Sequence, residues 1–210
     1  TSMEIALSGI CGDRDVITPI SEEDEKVRRE MGFRRPQNTL IPYRYYSQED
    51  WKNLIAGRKR KRFYNHMTAG EIKACLPGDI WNGYFKFCFE RNPWDKVISH
   101  YFHRNRNEKF RDIMDYLRND HGDDLHGSKA YMIDGKVAVD RIFRYEDMEG
   151  ALTELTGLLA LDKKLQFPSY RAKSQFRKDH RSYREILSEE EAAIISGRFR
   201  DDIALLGYRY

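Results

Sequence analysis

The sequence predicts an α/β protein in which a parallel sheet is flanked by helices. Short segments rich in aromatic and β-branched residues alternate with segments whose apolar residues recur at helical spacing. Hydrophobic residues make up 40% and charged residues 34% of the 210 residues, which is typical of a folded globular chain. This length suffices for one sizeable core, so we expect a single domain over residues 1–210.

The predicted elements follow from caps, apolar spacing and turn residues along the chain. The predicted helices are 2–8, 22–31, 48–56, 68–75, one that begins at 93, 108–118, 147–159 and 189–206, several of them preceded by a Ser or Thr that can cap the first turn. The predicted strands are 62–64, 84–89 and 142–145. A hairpin is predicted at 131–139, because an Asp-Gly pair separates two β-rich flanks.

Residues 85–104, FKFCFERNPWDKVISHYFHR, predict a strand that passes through a tight polar turn into a helix. Asn92 is a natural N-cap, and Pro93 suits the first helical turn because it lacks an N–H group. The end of such a strand and the N-terminus of the next helix together favour a bound anion. Arg91 lies there and could hold a phosphate, with the Ser99 hydroxyl about two turns further on. From local chemistry alone, an ion pair of Arg91 with a carboxylate and a surface position for Ser99 stay equally open.

Other candidate sites are weaker on local evidence. His66 lies between a short β-rich segment and the helix that follows Thr68, where it could act as a general base or be merely structural. His100 and His103 are three residues apart, but no HExxH and no obvious third ligand accompany them, so we predict no metal site. Neither GxxxxGK[ST] nor GxGxxG occurs, which leaves an ATPase or a Rossmann dehydrogenase without support. A nucleotide-dependent kinase is weakened by the missing Walker lysine and by the absence of an obvious Mg²⁺ carboxylate at a strand end.

Basic residues are concentrated in two stretches, although the net charge is only +3. RKRKR at 58–62 could follow a nucleic acid or another polyanion, or could be a solvated loop. Residues 171–184 interleave cations with aromatic rings and could fold over a phosphorylated nucleotide. Three cysteines without a CxxC spacing indicate free thiols of a reducing compartment, with a lumenal domain as the alternative. No stretch reaches the roughly 20 apolar residues of a membrane span.

Four stretches of the chain carry a family resemblance: NHMTAGEI at 65–72, FKFCFERNPWDKVISHYF at 85–102, RIFRYEDM at 141–148 and DDIALLGY at 201–208. They resemble the PAPS-dependent carbohydrate sulfotransferases, especially bacterial members related to heparan and chondroitin sulfotransferases. The resemblance covers nearly the whole chain and implies a three-layer P-loop-like α/β fold. In its most specific pattern, RNPxDxxxS, the Arg and the Ser bind the 3′-phosphate of PAPS (3′-phosphoadenosine 5′-phosphosulfate), which implies these roles for Arg91 and Ser99. The resemblance also implies His66 as the base, and a basic loop that closes over PAPS through Lys173, Ser174 and Arg177 as weaker candidates.

The beginning of the chain departs from that family. Its members open with a strand and a phosphosulfate loop of the type PKTAGTS, whose lysine and backbone amides bind the 5′-phosphosulfate. Here the sequence begins with Thr1 and Ser2, and no strand precedes the first predicted helix. We expect Thr1 and Ser2 to complete the 5′ site, and a strand with a lysine-containing loop to precede Thr1 in the full protein.

The predicted activity is transfer of the sulfuryl group of PAPS to a hydroxyl, which the resemblance makes that of a carbohydrate, with release of 3′,5′-ADP. His66 would accept the hydroxyl proton, and no metal, nucleic acid or membrane span is expected. The expected compartment is the bacterial cytoplasm, or the Golgi lumen for a soluble domain of a eukaryotic protein. The alternative function is a non-catalytic module that binds nucleic acid or a glycosaminoglycan through the basic stretches.

Overall fold

A computed structural model describes residues 1–119, 125, 127–162, 165, 167 and 177–210 of the chain. The chain divides into two compact units, each of which is described by itself. Unit 1 comprises Thr1–Lys86, Met132–Ala138 and Leu152–Ala172, and unit 2 comprises Phe87–Tyr131, Val139–Ala151 and Lys173–Tyr210. None of the described helices has the length and apolar character needed to cross a membrane.

Helices outnumber strands in the described residues. The α-helices are α1 (Ser2–Ser8), α2 (Glu22–Glu30), α3 (Gln48–Ile55), α4 (Ala69–Ala74), α5 (Gly78–Gly83), α6 (Pro93–Arg104), α7 (Ile113–Asn119), α8 (Met148–Leu158), α9 (Tyr183–Ile186), α10 (Glu189–Arg198) and α11 (Arg200–Leu206). The strands are β1 (Phe87–Glu90), β2 (Met132–Ile133), β3 (Lys136–Val137) and β4 (Arg141–Arg144).

Unit 1 contains short helices, and side chains cap the first turns of α2, α3 and α4. At α4, Thr68 and Glu71 form a capping box in which each side chain accepts a hydrogen bond from the other residue's backbone N–H. This confirms the predicted cap. Ile41, Phe63 and Cys75 form a buried apolar cluster within this unit. The cluster fixes the chain on both sides of the segment that carries His66.

The predicted hairpin is confirmed as the antiparallel pair β2–β3, in which Met132 lies opposite Val137. Asp134 and Gly135 form its two-residue turn with φ values of 50° and 73°. Positive φ at both central positions is the conformation that favours Asp-Gly in two-residue hairpins. The hairpin packs against α4 in unit 1.

Unit 2 contains the parallel sheet that the sequence predicts. β1 pairs with β4 in parallel, from Phe87 opposite Arg141 to Glu90 opposite Arg144. In the described part of the chain this sheet has two strands, so the structure is a mixed helix and strand fold with a small parallel sheet. A three-layer P-loop-like arrangement stays a prediction.

The core of unit 2 forms where α6, α7 and α10 pack together. Trp94, Val97 and Ile98 are buried on one face of α6, which confirms the apolar spacing of the predicted helix. The Trp94 Nε1 donates a hydrogen bond to the Ala192 carbonyl oxygen at 3.2 Å, so this polar atom is satisfied inside the core. α6 is therefore held firmly at the end that follows β1.

Several predicted boundaries are wrong. Residues 62–64 form no strand, because only the single bridge between Leu40 and Arg62 is regular. The helix predicted from 108 begins at Ile113, since Glu108 adopts a left-handed φ of 53° and Asp112 caps the later start. The first strand begins at Phe87 rather than at 84.

The predicted closing helix is two helices, α10 and α11, which meet at Phe199. Phe199 is 7% exposed, and its backbone leaves the helical region at φ −109° and ψ 29°. The Phe199 side chain belongs to the buried core cluster of unit 2 at this break. The short helices α5 and α9 were also not predicted.

Candidate active site

The turn between β1 and α6 places Arg91 at the carboxyl end of a parallel strand and before a helix N-terminus. The Asn92 side chain accepts hydrogen bonds from the backbone N–H groups of Trp94 and Asp95, at 3.1 and 3.3 Å. Pro93 occupies the first helical turn. The predicted strand, cap and helix are therefore confirmed, and the side chain between them is an arginine.

Asp95 brings Arg91 and Arg177 together. Arg91 Nε donates to Asp95 Oδ2 at 2.7 Å, and Arg177 Nη1 donates to Asp95 Oδ1 at 2.6 Å. The Arg91 guanidinium also lies over the Tyr145 ring, 4.8 Å from its centroid. Two arginines that the sequence proposes separately as nucleotide ligands thus share one carboxylate, which is the charge-assisted geometry that orients guanidinium groups. The ion pair of Arg91 with a carboxylate, which the sequence left open, is therefore present, and a phosphate ligand for Arg91 stays a prediction.

The Arg177 guanidinium is engaged by protein acceptors through all three of its nitrogens. Besides its bond to Asp95, Nε donates to the Asp179 carbonyl oxygen at 2.7 Å and Nη2 to the Arg181 carbonyl oxygen at 3.0 Å. Hydrogen bonds from Arg181 lower the pKa of the Asp179 carboxyl to about 2, so this pair stays ionised at neutral pH. Arg177 therefore fastens the segment 177–181 to the first turn of α6.

Acidic side chains hold the backbone around Arg91. Glu90 is 4% exposed, and its Oε1 accepts from the Arg91 backbone N at 3.0 Å. Glu146 accepts from the Asn92 backbone N at 2.7 Å. The Tyr208 hydroxyl donates to Glu146 at 3.0 Å, and burial together with this carboxylate raises the pKa of Tyr208. These contacts stabilise the position of the turn from both sides.

The remaining proposed nucleotide ligands are less completely described. Ser99 is half-buried on α6, and its role stays a prediction. Lys173 and Ser174 lie outside the described residues. Thr1 is the N-cap residue of α1 and Ser2 begins that helix, in unit 1.

His66 lines a pocket in unit 1. It is an exposed residue with a left-handed φ of 68°, three residues before α4 begins. The pocket has a volume of about 310 Å³, and Glu4 of α1 lines it as well. The structure therefore brings the proposed base to the same pocket as the helix that Ser2 begins.

The other lining residues are mostly apolar, a feature that the sequence analysis missed. They are Val16, Thr18, Phe63, Tyr64, Asn65, Met67, Ile72 and Leu76. A hydrogen bond from the Tyr64 hydroxyl to Glu71, 2.6 Å long, raises the pKa of Tyr64 to about 12. Tyr64 is therefore a neutral hydrogen-bond donor and no base at neutral pH.

The sequence analysis also did not identify Asp95 and Glu146 as residues that hold the Arg91 turn, although each lies in a stretch that carries the family resemblance. Asp95 is the acidic position of the quoted RNPxDxxxS stretch, and Glu146 lies in RIFRYEDM. An aspartate in the first turn of a helix is commonly explained by the helix dipole, which conceals a second role.

A family model described as "Sulfotransferase family" matches residues 42–209, well over half of the chain. The chain belongs to the sulfotransferase family. The matched region includes His66, Arg91, Ser99, Asp95 and Arg177. Membership of the sulfotransferase family supports an enzyme that transfers a sulfuryl group to an acceptor hydroxyl.

The chain is also similar to an uncharacterized protein of Archaeoglobus fulgidus. It is 32% identical over 107 residues, which cover 47% of this chain and 87% of the relative. No solved structure matches the chain. The sulfotransferase assignment therefore rests on the family model.

Proposed function

We propose that this sulfotransferase uses PAPS as its donor and transfers the sulfuryl group to a carbohydrate hydroxyl, releasing 3′,5′-ADP. The proposed fold is the three-layer P-loop-like arrangement of a single domain. The observation that carries the proposal is the position of Arg91, at the end of β1 and the N-terminus of α6, in a chain of the sulfotransferase family. The free cysteines support the proposed cytoplasmic compartment.

Arg91 and Ser99 are the proposed ligands of the 3′-phosphate. Contacts with Asp95 use Nε and Nη2 of Arg91, so in the described residues Nη1 is the nitrogen best placed to donate to a phosphate oxygen. Arg177 supports this arrangement through the same carboxylate. Lys173, Ser174 and Arg177 are the further proposed ligands of the nucleotide.

The proposed transfer needs positioning and charge stabilisation more than covalent chemistry. The acceptor oxygen attacks sulfur in line while 3′,5′-ADP departs, as in the related phosphoryl transfers. Thr1 and Ser2 are proposed at the 5′-phosphosulfate, and His66 is proposed to take the acceptor proton. The pocket shared by Glu4 and His66 supports this pairing of α1 with the base. No metal is proposed.

Calorimetry with 3′,5′-ADP and 5′-AMP tests the donor site. We expect 3′,5′-ADP to bind more tightly, and Arg91→Ala to remove most of the difference, about 2 kcal/mol or more for charge-assisted bonds. Arg111→Ala is the control, because the Arg111 side chain is 86% exposed in the same unit. Equal affinities of the unchanged protein for both nucleotides would refute the 3′-phosphate site.

A non-catalytic polyanion-binding module is the second candidate. The observation in its favour is the exposed basic stretch 58–60, in which the Arg60 guanidinium lies 4.5 Å from the centroid of the Tyr43 ring. Such a module would bind heparin or an oligonucleotide with an affinity that falls steeply as the salt concentration rises. It would not bind a free nucleotide. Binding of 3′,5′-ADP in the calorimetry therefore separates the two candidates.

A further inference from the structure

The pocket beside His66 has the size and lining of a small-molecule site. Its volume of about 310 Å³ lies at the small end of the range for ligand pockets, roughly 300–1,000 Å³. That space accommodates an aromatic ring or a short alkyl chain rather than an oligosaccharide. Such sites are typically apolar with a few polar groups, and this pocket has that composition.

The apolar wall offers few hydrogen-bond partners to sugar hydroxyls. Phe63, Ile72 and Leu76 line the pocket and have no polar side-chain atom, and the Met67 sulfur is only a weak acceptor for a sugar hydroxyl. A hydroxyl buried without a partner costs free energy, so sugar hydroxyls belong outside this wall. His66 and the other polar lining residues provide the partners that a reacting hydroxyl requires.

The chain around His66 is fixed by local hydrogen bonds. Tyr64 donates to Glu71, and Glu71 also accepts from the Thr68 backbone N at 2.8 Å and from the Thr68 hydroxyl at 2.9 Å. His66 lies between these residues with its φ of 68°. A non-glycine residue in this conformation persists only where its surroundings hold it, as is common at functional sites.

We infer that this pocket binds an apolar group carried by the acceptor, so that the substrate is an amphipathic glycoside. The aryl or alkyl part enters the apolar pocket, and the sugar hydroxyl lies outside it within reach of His66. This inference rests on the proposed function, which supplies His66 as the base and a carbohydrate as the acceptor. It narrows the acceptor class from carbohydrates in general to those that bear an apolar aglycone or acyl group.

Two matched glycosides test the inference without relying on turnover. Calorimetry in the presence of 3′,5′-ADP compares 4-nitrophenyl β-D-glucopyranoside with methyl β-D-glucopyranoside, which share the sugar and differ in the apolar group. We expect the aryl glycoside to bind at least tenfold more tightly, because burial of an aromatic ring removes apolar surface from water. Equal affinities would overturn the inference.

Variants locate the binding at this pocket. Val16→Asp places a charge in the lining, and Met67→Gln changes the lining without a charge. Both should reduce the affinity for the aryl glycoside at least fivefold and leave that for the methyl glycoside unchanged. Ile55→Asp is the control, because Ile55 is 84% exposed in unit 1 and is not among the lining residues. An aryl preference that survives both lining variants would also overturn the inference.

Sulfuryl transfer from PAPS, measured on the same pair of glycosides, separates this inference from the proposed function. Aryl-selective binding without transfer to either glycoside would support the pocket and count against the proposed reaction. Transfer to both glycosides with equal KM would support the reaction and overturn the pocket.

Discussion

His66 combines an exposed imidazole with a backbone conformation that few side chains adopt. If it is the base, His66→Asn should retain the fold and the affinity for 3′,5′-ADP while turnover falls by about 10²-fold or more. Asparagine is the informative replacement because it tolerates the left-handed region better than most residues. Sulfuryl-transfer assays measure the turnover of the variant, and calorimetry measures its affinity for 3′,5′-ADP.

Comparison of His66→Ala with His66→Asn isolates the free-energy cost of the left-handed backbone conformation at this position. Alanine at a φ of 68° should lower the free energy of unfolding by about 1 kcal/mol relative to asparagine, while turnover should be equally low in both variants. An asparagine variant with nearly unchanged turnover would assign His66 a structural role instead.

At the scale of elements, the contact of Asp95 with Arg177 joins α6 to a segment 82 positions away in sequence. Asp95→Asn and Arg177→Gln should each lower the free energy of unfolding, by about 1–2 kcal/mol, because each leaves charged partners unsatisfied. The double variant should show a coupling of about 1 kcal/mol in urea unfolding, since the two side chains contact each other directly.

The pair Lys26 and Glu30 provides the matched control for that cycle. Its atoms are 3.9 Å apart and its side chains are 71% and 63% exposed, so its coupling should be below about 0.5 kcal/mol. If the coupling between Asp95 and Arg177 is no larger than that between Lys26 and Glu30, the contact of Asp95 with Arg177 contributes nothing to stability.

The hairpin turn is a second feature of this scale. Gly135→Ala should destabilise the protein by about 1 kcal/mol, because alanine at a φ of 73° brings its Cβ close to the backbone. Gly197→Ala should stabilise by about 0.5–1 kcal/mol, because Gly197 lies within α10 and an added Cβ meets no atom within 4 Å. Urea midpoints that move in the same direction for both variants would contradict this account of the turn.

At the scale of the whole molecule, two cysteines report on the two units. Cys75 in unit 1 is 2% exposed, and in unit 2 burial raises the pKa of Cys88 to about 12. Both thiols should therefore resist iodoacetamide at pH 8 in the folded protein, because the thiolate is the reactive form. In a Cys11→Ser background, we expect both to become reactive at the same urea concentration, as a single cooperative domain requires.

Mass spectrometry of the labelled peptides measures each cysteine separately. Distinct midpoints for Cys75 and Cys88 would show that the units unfold independently, and the single domain proposed for residues 1–210 would then be replaced by two.

Features confined to a few neighbouring residues were predictable from the sequence. The capping box of Thr68 and Glu71 and the turn of Asp134 and Gly135 involve partners at most three positions apart. The strand, turn and helix around Arg91 were predictable for the same reason, because a short apolar strand, an Asn-Pro cap and an amphipathic helix follow one another directly. The break at Phe199 was not, since it depends on packing against distant helices.

The sequence by itself determined the local elements and the residues proposed to carry the chemistry, and only the tertiary structure decided which distant segments meet. The parallel pairing of β1 with β4, the carboxylate that Arg91 shares with Arg177, and the apolar pocket at His66 each join segments far apart in the chain. Local propensity and periodicity describe one segment at a time. The choice of distant partners depends on burial and charge pairing, which arise only when the whole chain is folded.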